Sequence, residues 1–176
     1  MLARRRALVA VMAVLTLVVL AGCSAAAERV GEPASHGSSP KAAAVASTLD
    51  FTAPTAGGGT FRGRQLAGKP ALLWFWAPWC PTCRAQQPGV RELAETHRGE
   101  LAVVGVGGLD SSNAIREYAR QAGGFPHLVD EQGAVWRHFG VTAQSTFVLL
   151  DADADVAARG YMDDAQLAAR VTDLVR

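Results

Sequence analysis

The chain is short of cysteine, of paired histidines and of net charge. Its 176 residues hold three cysteines, Cys23, Cys80 and Cys83, so at most one intrachain disulfide can form and one cysteine is left over. There is no second C-x-x-C motif, and His97, His127 and His138 show no H-x₃₋₅-H spacing. A four-coordinate structural zinc at Cys80 and Cys83 would therefore lack two ligands. The formal net charge is +1, and without residues 1–22 it becomes 14 basic against 16 acidic side chains. That balance gives no reason to expect nucleic acid as a partner. There is no internal repeat. With 49% hydrophobic and 19% charged residues, the composition is ordinary for a globular protein, and the length allows one domain plus accessory segments.

What is present begins with an N-terminal pattern. Arg4, Arg5 and Arg6 precede an uncharged apolar run, Ala7 to Leu20. At 14 residues the run is short of the roughly 20 that a spanning helix needs and suits a signal-peptide core. It ends in Leu20-Ala21-Gly22-Cys23, which resembles the lipobox of bacterial lipoproteins. The resemblance implies residues 1–22 as a lipoprotein signal peptide, cleavage before Cys23 and a lipid on its sulfur. An uncleaved anchor helix or a soluble secreted product are the alternatives, and each places the domain outside the cytoplasm. Residues 23–48 are rich in Ala, Ser, Gly and Pro and read as a flexible tether, with His36 solvated.

A folded domain is expected over 49–176. Residues 49–64 read as a hairpin turning near Gly57-Gly58-Gly59. Ala71 to Ala77 is a continuous apolar run suited to a buried central strand. A helix over 81–97, a strand from Leu101 to Val106, and a helix over 112–122 capped by Ser111 or Ser112 follow. Phe125–Val129 reads as extended, about 131–139 as a short helix, and Thr146–Leu150 and Val156–Gly160 as strands. The last helix opens on Asp163-x-x-Gln166, a capping box, with Leu167, Val171 and Leu174 inward. Strands separated by helices imply parallel pairing and the late hairpin antiparallel pairing. The expected fold class is α/β: a mixed central sheet with helices on both faces, preceded by an N-terminal β-hairpin.

The chemistry centres on Trp76-Ala77-Pro78-Trp79 followed by Cys80-Pro81-Thr82-Cys83 at a helix start. Unpaired amide N–H groups there favour a thiolate on Cys80, and thiolate is the form that attacks a disulfide. Cys83 lies one turn inward, within bridging reach. One sulfur forms a mixed disulfide with a partner and the other resolves it. The leading sulfur is expected to be exposed. Pro81 has the fixed φ of a first helical turn, and Trp79 offers an apolar platform. An inert staple is a poor reading, because so tight a loop constrains little of the unfolded chain. His127, His138, Trp136 and Phe139 read as structural residues.

The run Trp74-Phe75-Trp76-Ala77-Pro78-Trp79-Cys80-Pro81-Thr82-Cys83 resembles the active-site signature of the thioredoxin superfamily. Pro88 matches the proline that kinks the family's active-site helix. Gly133, Phe139-Gly140-Val141 and Thr146–Asp151 follow its C-terminal half. The N-terminal anchor and hairpin resemble the extracytoplasmic TlpA/ResA/DsbE-like group, and the actinobacterial DsbE-like proteins above all. The resemblance implies a thioredoxin-like fold and a protein thiol–disulfide oxidoreductase with no cofactor beyond the Cys80–Cys83 disulfide and no metal. It implies exported protein substrates, a membrane redox partner, and attachment to the outer face of the membrane through Cys23. Direction is tilted towards disulfide formation. A reductase of the cytochrome c maturation type, or a metal- or client-binding module, are the alternatives.

Three positions depart from the family. Ser145, in the partner-binding loop Gln144-Ser145-Thr146, stands where the family has a cis-proline. A cis bond before serine costs roughly 3–4 kcal/mol, so a trans Gln144–Ser145 bond is expected. Trp74 and Gln86 stand where thioredoxin and the ResA-like group respectively carry an acid. With neither carboxylate, no evident side chain takes the proton from Cys83, which favours donating a disulfide over repeatedly activating a buried thiol.

Overall fold

The computed structural model describes residues 40–176. The expected signal peptide, the expected lipidation site Cys23, His36 and most of the expected tether lie outside the described residues. The sequence order of elements is α1 (Pro40–Thr48), β1 (Thr52–Pro54), β2 (Thr60–Arg62), a 3₁₀ turn (Gly63–Leu66), β3 (Ala71–Trp76) and α2 (Pro81–Thr96). Then come β4 (Ala102–Gly107), α3 (Ser112–Ala122), β5 (His127–Val129), α4 (Ala134–His138), β6 (Thr146–Leu150), β7 (Val156–Gly160) and α5 (Asp164–Leu174). None of these helices is long and apolar enough to cross a membrane.

The main sheet has the order β5-β4-β3-β6-β7. β3 runs parallel to β4, β4 parallel to β5, and β3–β6 and β6–β7 are antiparallel. All six residues of β3 are buried, which is why that stretch is apolar without alternation. Its side chains still alternate in destination. Leu72, Trp74 and Trp76 enter a core built with Val90 of α2, Ile115 and Tyr118 of α3, and Leu167 and Val171 of α5. Ala71, Leu73 and Phe75 enter the other, with Phe51, Phe61, and Val135 and Trp136 of α4. Helices therefore cover both faces, and β1–β2 form a separate antiparallel hairpin. Ser111 caps α3, accepting from the Ala114 amide at 3.3 Å. Asp163 and Gln166 close their capping box.

One expectation changes. The tether expected over 23–48 gives way at Pro40 to α1. Its alanines are strong helix formers and Pro40 is suited to a first turn. Val45 packs on the second core, and Lys41 pairs with Asp153 at 2.7 Å.

β4 makes room for its neighbours. A Cβ on Gly107 would lie 2.6 Å from Ile115 Cγ2 and 2.7 Å from the Trp76 ring, closer than packed carbon atoms approach. Gly107→Ala is expected to lower stability by about 1–3 kcal/mol through overpacking. Urea unfolding should show a lower midpoint with the same slope. An unshifted midpoint would mean that Trp76 moves freely.

Candidate active site

β3 ends at Trp76, and the turn Ala77-Pro78-Trp79 delivers Cys80 to the N-cap of α2. The Cys80 amide donates to the Ala77 carbonyl at 3.1 Å. Cys80 has extended backbone (φ −81°, ψ 113°), and its sulfur accepts the Cys83 amide N–H at 3.1 Å. The thiol thus takes the capping role that serine or aspartate usually fills. Pro81 sits in the first turn and Pro88 within the helix. Arg84 donates from Nη2 to the Pro78 carbonyl at 2.7 Å and lies 5.1 Å from the Tyr118 ring centroid.

The leading sulfur is less open than expected. Cys80 is 3% exposed and Cys83 0%. Cys80 is covered because the loop before β6 folds over it. Ser145 Oγ lies 3.4 Å from Cys80 Sγ and 3.2 Å from Cys83 Sγ. No cis peptide bond occurs among the described residues, so Gln144–Ser145 is trans, and Ser145 takes a left-handed φ of 65°. Its amide donates to the Phe75 carbonyl at 3.0 Å. Thr146 Oγ1 ties the loop to the Ala143 carbonyl at 2.9 Å.

The two positions that depart from acids bond to each other. The Trp74 indole donates to Gln86 Oε1 at 3.2 Å, and Gln86 Nε2 donates to the Met162 carbonyl at 3.4 Å. This buried pair is satisfied without charge. Among the described residues neither sulfur hydrogen-bonds to a carboxylate.

The two thiols are driven apart electrostatically. For Cys80, burial pushes the pKa up. The opposing hydrogen bonds from Cys83, the Ser145 hydroxyl and the Cys83 and Thr82 amides outweigh it, so the net shift is downward. For Cys83, burial and then the neighbouring Cys80 push the pKa up to about 11. Burial, then Cys83, pushes Tyr118 up to about 12, and its buried hydroxyl has no hydrogen-bond partner.

At the surface beside Cys80, Trp79 is 52% exposed and donates its indole N–H to the Leu109 carbonyl at 3.1 Å. Leu109 is exposed and takes a left-handed φ of 58°. His127 is buried, and that burial pushes its pKa down to about 4. His138 lies 2.8 Å from the Thr48 carbonyl through Nε2. Both are structural, as are the buried Trp136 and Phe139. Leu109, Arg84 and Tyr118 are site residues that sequence reasoning missed. Tyr118 shows only as one more inward position of α3, and nothing local marks the other two.

Comparison with known proteins places the chain in a family and a fold. The AhpC/TSA family model matches residues 46–159. The soluble secreted antigen MPT53 of Mycobacterium tuberculosis is 36% identical over 115 residues, which is 65% of this chain and 66% of that protein. The chain thus spans just under two thirds of the length of that curated relative. Mycobacterium tuberculosis DsbF, solved in mixed oxidized and reduced forms, is 44% identical with a TM-score of 0.68. The match covers 73% of this chain and 97% of DsbF. A secreted M. tuberculosis disulfide oxidoreductase homologous to E. coli DsbE is 33% identical with a TM-score of 0.66, covering 72% and 98%.

In the reduced protein, ¹³C-labelled cysteine should titrate in two steps. Cys80 is expected below the ordinary thiol value, and Cys83 at about 11. A Cys83 that titrates first would reverse the assignment of roles.

Proposed function

The chain belongs to the AhpC/TSA family with a thioredoxin-like fold, and from that premise we propose that it is a protein thiol–disulfide oxidoreductase that donates the Cys80–Cys83 disulfide to exported proteins. The observation that carries this reading is the asymmetry of the pair. One sulfur caps a helix and is held towards thiolate, and the other is fully buried one turn behind and held as thiol.

The exchange follows from that asymmetry. A partner thiolate attacks Cys80 Sγ of the disulfide, forming a partner–Cys80 bond, and Cys83 departs with the electron pair. A second partner thiolate then attacks the partner sulfur of the mixed disulfide, and Cys80 leaves. The partner gains a disulfide and the cysteine pair gains two electrons. A stabilised thiolate is a good leaving group, and stabilising the reduced form raises the oxidising power of the couple. Both effects favour disulfide donation. A membrane redox partner would then take the two electrons and restore the disulfide.

Trp79 and Leu109 form an apolar shelf beside Cys80 on which a partner chain can rest. The Gln144–Thr146 loop borders the sulfurs from the other side and supplies backbone groups to that chain. The N-terminal pattern ending at Cys23, and the secreted character of the relative MPT53 in its name, support an extracytoplasmic protein held at the outer membrane face by a lipid.

Cys80→Ser should abolish oxidation of a reduced unfolded protein, whereas Cys83→Ser should accumulate a mixed disulfide through Cys80. The couple's potential against glutathione is expected above about −200 mV. A value near thioredoxin's, roughly −270 mV, would make the protein a reductase. Full turnover by Cys80→Ser would end the oxidoreductase reading.

A further inference from the structure

Resolution of a mixed disulfide requires Cys83 to lose a proton, yet Cys83 has no exposed surface. Trp74 and Gln86 cannot accept a proton, and their polar atoms are committed to each other and to Met162. The other groups facing the sulfurs are Tyr118, whose hydroxyl is buried, and the Arg84 guanidinium, which is permanently charged and occupied by the Pro78 carbonyl and the Tyr118 ring. One hydroxyl reaches both sulfurs, at 3.4 and 3.2 Å, and it is itself only 7% exposed. It is held there by a left-handed backbone conformation uncommon for a residue with a Cβ. Strain of that kind marks a position the surroundings enforce.

We propose that the Ser145 hydroxyl is the proton carrier between the buried Cys83 thiol and the sulfur reacting at Cys80. This rests on the exchange reading above. In the mixed disulfide, Cys83 Sγ–H gives its proton to Ser145 Oγ as Ser145 gives its own to the departing partner sulfur. The Cys83–Cys80 bond forms and the Cys80–partner bond breaks. The bonding pair leaves with the partner sulfur, which ends as a thiol, so the partner is reduced and the cysteine pair oxidised. In disulfide donation the same atoms run in reverse. The partner thiol gives its proton to Ser145 as it becomes the thiolate that attacks Cys80, and Ser145 gives its own proton to Cys83 as that sulfur departs. In the reduced protein the chain is at rest, with Ser145 O–H donating to the Cys80 thiolate and Ser145 Oγ 3.2 Å from Cys83 Sγ.

The test uses Ser145→Gly in the full chain, because glycine adopts the left-handed backbone freely and the hydroxyl is removed together with Cβ. Ser145→Ala serves as a second variant. Rapid quenching with mass spectrometry follows resolution of the Cys80–glutathione mixed disulfide. Ser145→Gly should resolve about 10- to 100-fold more slowly, with a rate that rises tenfold per pH unit through neutrality where the wild type is flat. Cys80 should titrate about one pH unit higher, a tenfold smaller thiolate fraction at a given pH below its pKa. A purely structural serine would lower the unfolding midpoint and leave the pH profile unchanged. Resolution within twofold of wild type, with the same profile, overturns the carrier. If the wild type exchanges with no disulfide, the oxidoreductase reading falls instead. The Cys80 titration needs no turnover, so an unshifted value in Ser145→Gly would then still overturn the carrier.

Discussion

The amide of Cys83 donates to the sulfur of Cys80 across the first turn of α2, and the rest of the site is arranged around that bond. An α-helix begins with amides that have no partner inside it. Here one of them is met by sulfur rather than by a hydroxyl or carboxylate, so the helix is capped best when that sulfur is charged. The bond needs Cys80 in extended backbone at the end of a strand that cannot shift. β3 supplies this by lying at the centre of the sheet, buried on both faces and paired to β4 and β6. Its last side chain, Trp76, fits because β4 has glycine at 105 and 107, where a Cβ would come within 2.8 and 2.7 Å of its ring.

The second constraint is the absence of charge behind the pair. Isolated buried carboxylates are costly and shift the titration of their neighbours. By joining Trp74 to Gln86 through a neutral hydrogen bond, the core satisfies these two side chains and places no acid at either position. Cys83 is then left to burial and to its neighbour Cys80, both of which hold its proton on. The spread between the two thiols thus arises largely from what surrounds them. The Cys83 side chain, the Ser145 hydroxyl and the helix-end amides draw one down, and burial in a neutral core pushes the other up.

Much of this was legible along the chain because it is local. Cys80-Pro81-Thr82-Cys83 at a strand-to-helix junction carries its geometry in four residues, and the apolar continuity of Ala71–Trp76 fixes a central strand. The alternation of strands and helices implies the parallel pairing, and the late hairpin the antiparallel pairing. Two features were not legible. The alanines of 40–48 fit a tether as well as a helix, and the choice is made by Val45 meeting the core and Lys41 meeting Asp153, 112 residues away. The position of Ser145 was evident and the trans bond expected. Its hydroxyl reaching sulfurs 65 and 62 residues away depends on a left-handed backbone that no local pattern announces. That same loop is why Cys80 is more covered than a helix-mouth sulfur would be.

The shared hydroxyl also means that the two sulfurs do not act independently. Ser145 has one proton to donate, and in the reduced protein it goes to the sulfur that is charged. Once Cys80 is bonded to a partner it carries no negative charge, and its claim on that proton weakens. The hydroxyl can then give that proton to the departing partner sulfur and accept the one that Cys83 loses as the bond resolves. The preference for charge at the helix mouth therefore belongs to the free dithiol state, and formation of the mixed disulfide lifts it. When the free dithiol is reoxidised, the order of events comes from the chemistry: Cys80 reacts first because it is charged first, and Cys83 becomes competent only after Cys80 is engaged.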